Sequence, residues 1–132
     1  MRNKILLILA ILLLVFLSGC TTYEISNVRV EFNDLVTDKE VYHSAETLNI
    51  TAVVDSNQYL ENVTVNIKGI NGKLDKSREV NLENGINQIS LTNKLPRCNV
   101  CGGIREGDYS ISFEIIYEDM KLTDEIMVTI KQ

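Results

Sequence analysis

Between Tyr109 and Tyr117 the chain alternates: Tyr109, Ile111, Phe113, Ile115 and Tyr117 are separated by Ser110, Ser112, Glu114 and Ile116. A period of two puts one row of side chains on each face of an extended strand, and it will not sit on one face of a helix. The pattern recurs in Val28, Val30 and Phe32, in Leu48, Ile50, Ala52 and Val54, and in Val63, Val65 and Ile67. It is weaker over Ser77 to Leu82 and Ile89 to Leu91, then clear again in Leu122, Ile126, Val128 and Ile130. Asn33-Asp34 reads as a polar break before a short segment from Val36 to Tyr42, and Asp124 falls on the inward phase of the last strand, where a bulge or an edge position is expected. Turn signals at Asp55-Ser56-Asn57, Gly69 to Gly72, Glu83-Asn84-Gly85 and Glu118-Asp119 separate the runs. The expectation is an all-β fold, one antiparallel β-sandwich of about seven strands over residues 27–132.

A resemblance refines this. Asp38-Lys39, Tyr42, Glu46, Leu48 and Ile50 resemble the opening of macroglobulin-type immunoglobulin-like domains; Leu82, Gly85 and Asn87 resemble a turn of such folds, and Gly107-Asp108-Tyr109 the start of a late strand. The resemblance implies an immunoglobulin-like sandwich in which Tyr109 bonds its hydroxyl back to the backbone at a corner. Ala45 stands where those domains usually carry glycine, so its turn must either avoid positive φ or hold strain. The thioester and bait region of protease-trapping macroglobulins are missing, and that activity does not carry over.

The chain begins with Arg2 and Lys4, an apolar run from Ile5 to Leu17, and then Leu17-Ser18-Gly19-Cys20. A run of about 13 residues suits the core of an export signal and falls short of the roughly 20 that span a bilayer as a helix. Thr21, Thr22, Tyr23 and Glu24 end the apolar character and weigh against a longer membrane segment; an uncleaved anchor is the other alternative. Leu17 to Cys20 resembles the lipobox of secreted lipoproteins. The resemblance implies a signal helix over 1–19, diacylglycerol on the Cys20 sulfur, a tether over 20–26, and a domain anchored to the membrane by lipid, outside the cytoplasm. Two or more acyl chains, at about 0.8 kcal/mol per buried CH₂, hold such an anchor stably.

Losing Arg2 and Lys4 with the signal leaves 11 basic against 18 acidic residues, which takes the formal charge from −5 to −7. An acidic chain without a basic cluster argues against nucleic acid and against direct docking on anionic headgroups. No nucleophile elbow, glycine-rich phosphate loop or partnered histidine is present, and the lone His43 reads as a solvated turn residue. Asp55, Asn57, Asp108, Glu118 and Asp119 lie in scattered turns and lack a calcium-loop spacing, so no metal or other cofactor is expected. Asn49-Ile50-Thr51 and Asn62-Val63-Thr64 match the N-glycosylation sequon on expected outward faces.

Chemical potential concentrates in Cys98-Asn99-Val100-Cys101-Gly102-Gly103, inside a long segment from Asn93 to Gly107 that holds the only proline. In an exported chain the pair reads first as a local disulfide, which closes a small loop and contributes about 2 kcal/mol. Cys-x-x-Cys followed by glycine also resembles half of a zinc-ribbon or rubredoxin-type site, though a second pair is missing. The third reading is a redox dithiol, which normally needs a helix N-terminus to lower the thiol pKa. Long ordered loops tend to carry function, so Pro96, Arg97, Asn99, Val100, Gly102, Gly103 and Arg105 are nominated as a contact region. The expected function is that of a non-enzymatic surface or envelope module with a protein or glycan partner; the alternative is a thiol-redox or metal-binding lipoprotein using Cys98 and Cys101.

Overall fold

The computed structural model describes residues 27–98 and 103–132. Eight strands follow in order: β1 (Val30–Thr37), β2 (Val41–His43), β3 (Thr47–Ser56), β4 (Leu60–Gly69), β5 (Leu74–Leu82), β6 (Gly85–Lys94), β7 (Gly107–Tyr117) and β8 (Met120–Lys131). They form a three-stranded sheet ordered β1-β3-β6 and a five-stranded sheet ordered β2-β8-β7-β4-β5. The expected core rows face each other across the sandwich: Leu48, Ile50, Ala52 and Val54 from β3, Val63, Val65 and Ile67 from β4, and Ile111, Phe113 and Ile115 from β7 are all fully buried. Withdrawing each larger side chain of this kind from water contributes about 1.5–3 kcal/mol, which drives the closure of the two sheets.

Three features differ from the sequence-based expectation. The described residues form eight strands, because β2 is a three-residue ribbon pairing with β8 through Val41↔Thr129, Tyr42↔Ile130 and His43↔Lys131. That pairing is parallel, so the sandwich is not wholly antiparallel. Three residues are too few to show a periodicity. Asn33-Asp34 is not a break either: β1 runs through it with a register shift between Phe32 and Asp34. The inserted residue flips the phase, so that Phe32 and Leu35 both pack partly against the core while Asp34 is exposed. Asp124 needs no bulge, for β7 and β8 pair without a shift from Gly107↔Ile130 to Tyr117↔Met120. It is half-buried on the stretch of β8 that β2 does not reach, an edge position. β5 shows little alternation because it is itself the outer strand of its sheet, with Asp75, Ser77, Arg78 and Glu79 exposed.

The β4–β5 turn closes one end of the core. Ile70 and Asn71 both have φ 52°, and Ile70 is buried despite that unfavourable conformation for a β-branched residue. Burying its side chain offsets the backbone strain. Gly69, just before it, approaches β7 so closely that a Cβ there would sit 2.4 Å from the Ser110 carbonyl oxygen.

Strand directions divide the molecule into two poles. At the first, the chain arrives at Asn27 and β1, beside the β3–β4, β5–β6 and β7–β8 connections. Asn57 clasps that arrival: its Nδ2 donates to the Asn27 carbonyl (2.7 Å) and its Oδ1 accepts from the Arg29 amide (2.9 Å). At the second pole lie the β1–β2, β2–β3, β4–β5 and β6–β7 connections and the end of β8. Ten-residue strands such as β3 separate the poles by roughly 33 Å.

Candidate functional site: the β6–β7 loop and its platform

The second pole is built on Asp38. Its Oδ1 accepts from the Tyr42 hydroxyl at 2.5 Å and from the Asn49 amide at 3.0 Å, and its Oδ2 accepts from Asn49 Nδ2 at 3.3 Å. Partial burial works to raise the Asp38 pKa, but these hydrogen bonds outweigh it and hold the carboxylate below its ordinary value. Burial, reinforced by the Asp38 carboxylate, pushes the Tyr42 phenol up to about 12. The cluster turns the chain from β1 into β2, and the Tyr42 ring fills the core with no exposed surface.

The β2–β3 turn then forms a platform. Glu46 pairs with Lys39 and accepts from the His43 amide at 2.8 Å. Ala45 sits at φ 61°, so the turn holds the strain that a glycine would relieve. The β6–β7 loop rests on this turn at three points: the Leu95 amide donates to the Glu46 carbonyl (2.8 Å), the Ala45 amide to the Pro96 carbonyl (3.3 Å), and the Cys98 amide to Ser44 Oγ (2.8 Å).

The loop is shorter and better anchored than the sequence suggests. Asn93 and Lys94 belong to β6, Gly107 begins β7, and Leu95, Cys98 and Ile104 are buried in the core. A bridge between Cys98 and Ile104, with the Ile104 amide donating to the Arg97 carbonyl at 3.1 Å, draws the two limbs of the loop together as a neck. The Tyr109 hydroxyl donates to the Arg105 carbonyl at 2.6 Å, which is the corner hydrogen bond expected of that tyrosine. Glu106 Oε1 accepts from the Gln132 amide at 2.6 Å, tying the returning limb to the end of the chain.

Of the nominated contact residues, Arg97 and Arg105 are exposed on the two limbs of the neck, Gly103 is half-buried, and half-buried Pro96 serves the platform through its carbonyl. Asn99, Val100 and Gly102 lie outside the described residues, as do Cys101 and Cys20. Cys98 is 5 % exposed, with its sulfur 3.8 Å from the Lys131 carbonyl oxygen. Burial of that kind suits a structural sulfur better than a presented nucleophile. His43 is exposed and lies 3.8 Å from Glu46, and among the described residues no group of three or more metal-ligating side chains comes together.

One polar cluster escaped sequence reasoning. Glu114, on the outward phase of β7, is 7 % exposed. It takes Lys121 Nζ at 2.9 Å, Lys68 Nζ at 3.3 Å and Asn66 Nδ2 at 3.3 Å. Lys121 above all, with Asn66 and Lys68, draws its pKa down to about 2 against the cost of burial. Both Glu114 oxygens are answered within the cluster, which makes it a clamp across β4, β7 and β8. Its only signal in the sequence is one acid among outward-facing residues, and its lysine partners become neighbours only once register is known.

No family model matches the chain, and no curated protein matches it. Solved structures do. A CARDB domain from Pyrococcus furiosus, in complex with di-metal ions, is 17% identical with a TM-score of 0.55, over 80% of this chain and 88% of that one. The alkylpurine DNA glycosylase AlkC of Pseudomonas fluorescens is 12% identical with a TM-score of 0.55, over 78% of this chain but 30% of its own length. A β-glucosidase from Erythrobacter marinus is 11% identical with a TM-score of 0.56, over 79% of this chain and 16% of that enzyme. This chain therefore spans under a third of either enzyme, and at these identities the likeness speaks to architecture alone. With two facing sheets, the tyrosine corner and these neighbours, the domain is an immunoglobulin-like β-sandwich.

Proposed function

We propose that the chain is an exported lipoprotein whose sandwich is held at the outer face of a membrane by lipid on Cys20 and works as a non-enzymatic binding or structural module for a protein or glycan partner. The observation that carries this is the apolar run ending in Leu17-Ser18-Gly19-Cys20, too short to span a bilayer and followed directly by polar residues. The placement of the poles supports it. The chain joins the domain at the first pole, so lipid at Cys20 turns that end toward the membrane. The Arg97 and Arg105 limbs then stand at the opposite end, about 33 Å further out. A fully extended tether of seven residues adds at most about 25 Å.

In this reading Cys98 and Cys101 form a disulfide that closes a small loop beside the neck. A buried Cys98 sulfur favours that role over a redox or metal-handling one. The macroglobulin-type likeness enters as architecture: Asp38, Tyr42 and Glu46 build the platform on which the loop rests.

Two measurements test the proposal. Mass spectrometry of the mature N-terminus is expected to find an acylated Cys20 as the first residue; any other first residue overturns the anchor. Cross-linking on intact cells is expected to capture a surface partner through the second pole, with capture reduced by Arg97→Glu/Arg105→Glu. Capture unaffected by that pair overturns the assignment of the contact end.

A further inference from the structure

The two sequons meet opposite fates in the fold. Asn49 lies within β3, which is hydrogen-bonded to β1 on one side and β6 on the other. Its carboxamide is engaged at both ends, donating to Asp38 Oδ2 at 3.3 Å and accepting from Thr92 Oγ1 at 2.7 Å. The Thr51 hydroxyl that completes this sequon is bonded to Ser90 Oγ at 2.9 Å. Freeing Asn49 therefore means dismantling the Asp38 corner and opening a central strand.

Asn62 is placed quite differently. β4 pairs with β5 at Leu60↔Leu82 and Val63↔Val80, so Glu61 and Asn62 together oppose Asn81 alone. Asn62 takes φ 55° in this bulge, and its amide donates to Asn81 Oδ1 at 3.1 Å. Pairing between β4 and β7 begins only at Thr64, so the Asn62 backbone belongs to neither ladder. Both asparagine side chains are exposed, but among the described residues neither the Asn62 carboxamide nor the Thr64 hydroxyl has a hydrogen-bond partner.

We infer that Asn62 is an acceptor for N-linked glycosylation of the folded domain, and that Asn49 is not. The donor class is a lipid-linked oligosaccharide activated by phosphate at its anomeric carbon. Asn62 Nδ2 forms a bond to that carbon and gives up one amide proton to a base on the transferase. The bond from carbon to phosphate oxygen breaks, and its electron pair leaves with the lipid phosphate; nothing is oxidised or reduced. The sugar projects from the bulge beside the first pole, clear of the Arg97 and Arg105 limbs. The inference rests on the export proposed above, because such transfer takes place outside the cytoplasm.

The full chain, recovered from its own host, is digested and its peptides are weighed. A saccharide increment is expected on the peptide holding Asn62 and none on the one holding Asn49. Asn62→Asp and Thr64→Val are expected to abolish the increment, and Thr64→Ser to keep it. Aspartate tolerates positive φ and valine keeps the β-branch, so both variants preserve the local fold. Protein that carries lipid on Cys20 but has a bare Asn62, or that carries the sugar on Asn49, overturns this inference and leaves export standing. Unacylated protein in the cytosol overturns export itself, and the inference with it.

Discussion

Glu114 offers the most direct test of how the five-stranded sheet is held. Its pKa falls from 4.5 to about 2, which at about 1.4 kcal/mol per pKa unit corresponds to about 3 kcal/mol favouring the charged form in the folded state. Lys68 and Lys121 are 47% and 55% exposed, so solvent screening reduces this to about 1–2 kcal/mol. The folded-state pKa is depressed, so the contribution is complete above pH 4.5 and is lost as pH falls toward about 2. Glu114→Gln keeps the size and an acceptor for Asn66 but removes the charge. Urea unfolding followed by far-UV circular dichroism is expected to show a loss of about 1–2 kcal/mol at pH 7. Near pH 2 the loss shrinks to less than about half of that, because the native glutamate is then itself about half protonated and the unfolded one almost wholly so. Asp38 titrates in both proteins and cancels in the difference. A cost that is equal at the two pH values refutes an ionic origin, and no cost at pH 7 refutes the clamp.

Gly69→Ala places a Cβ 2.4 Å from the Ser110 carbonyl oxygen and 3.1 Å from Ile111 Cα. Both are backbone atoms of β7 that cannot step aside, so a loss of about 2–3 kcal/mol is expected in chemical denaturation. Ala45→Gly relieves the φ of 61°; set against glycine's greater freedom in the unfolded chain, a gain of about 0.5 kcal/mol is expected, seen as a higher thermal midpoint. Tyr109→Phe deletes the 2.6 Å bond to the Arg105 carbonyl and is expected to cost about 1 kcal/mol. Hydrogen exchange should then rise in the returning limb of the β6–β7 loop while the β3 amides stay protected.

Much of the architecture was legible because strand faces are written locally. Leu48 to Val54, Val63 to Ile67 and Tyr109 to Tyr117 show their buried rows in the order of residues along the chain, and the same rows fill the core. The features that were missed, and the strand over Ser77 to Leu82 that was only faint, share one cause. The bulge at Asn33 moves a strand into opposite phase with one residue, β5 is an outer strand with charge on exposed positions, and β2 is three residues long. Each leaves the periodic signal broken, diluted or too short. The loop was misjudged for a related reason: Leu95, Cys98 and Ile104 have no regular spacing, yet all three are buried. Leu95 and Cys98 are held by the Ser44–Glu46 turn, which lies about 50 residues away in the chain, and Ile104 by the bridge to Cys98.

Alternation of side chains is a property of any extended backbone, so the amino-acid order alone determined that this chain makes strands and which face of most of them turns inward. Which strands become neighbours depends on loop closure and on how two sheets fit over a common core, and no local pattern encodes that. Tertiary structure alone therefore decided the parallel β2–β8 ribbon, the neck at Cys98 and Ile104, and the meeting of Glu114 with Lys68 and Lys121. It also separated Asn49 from Asn62, two identical sequence signals, by pairing one into the middle of a sheet and leaving the other in a bulge.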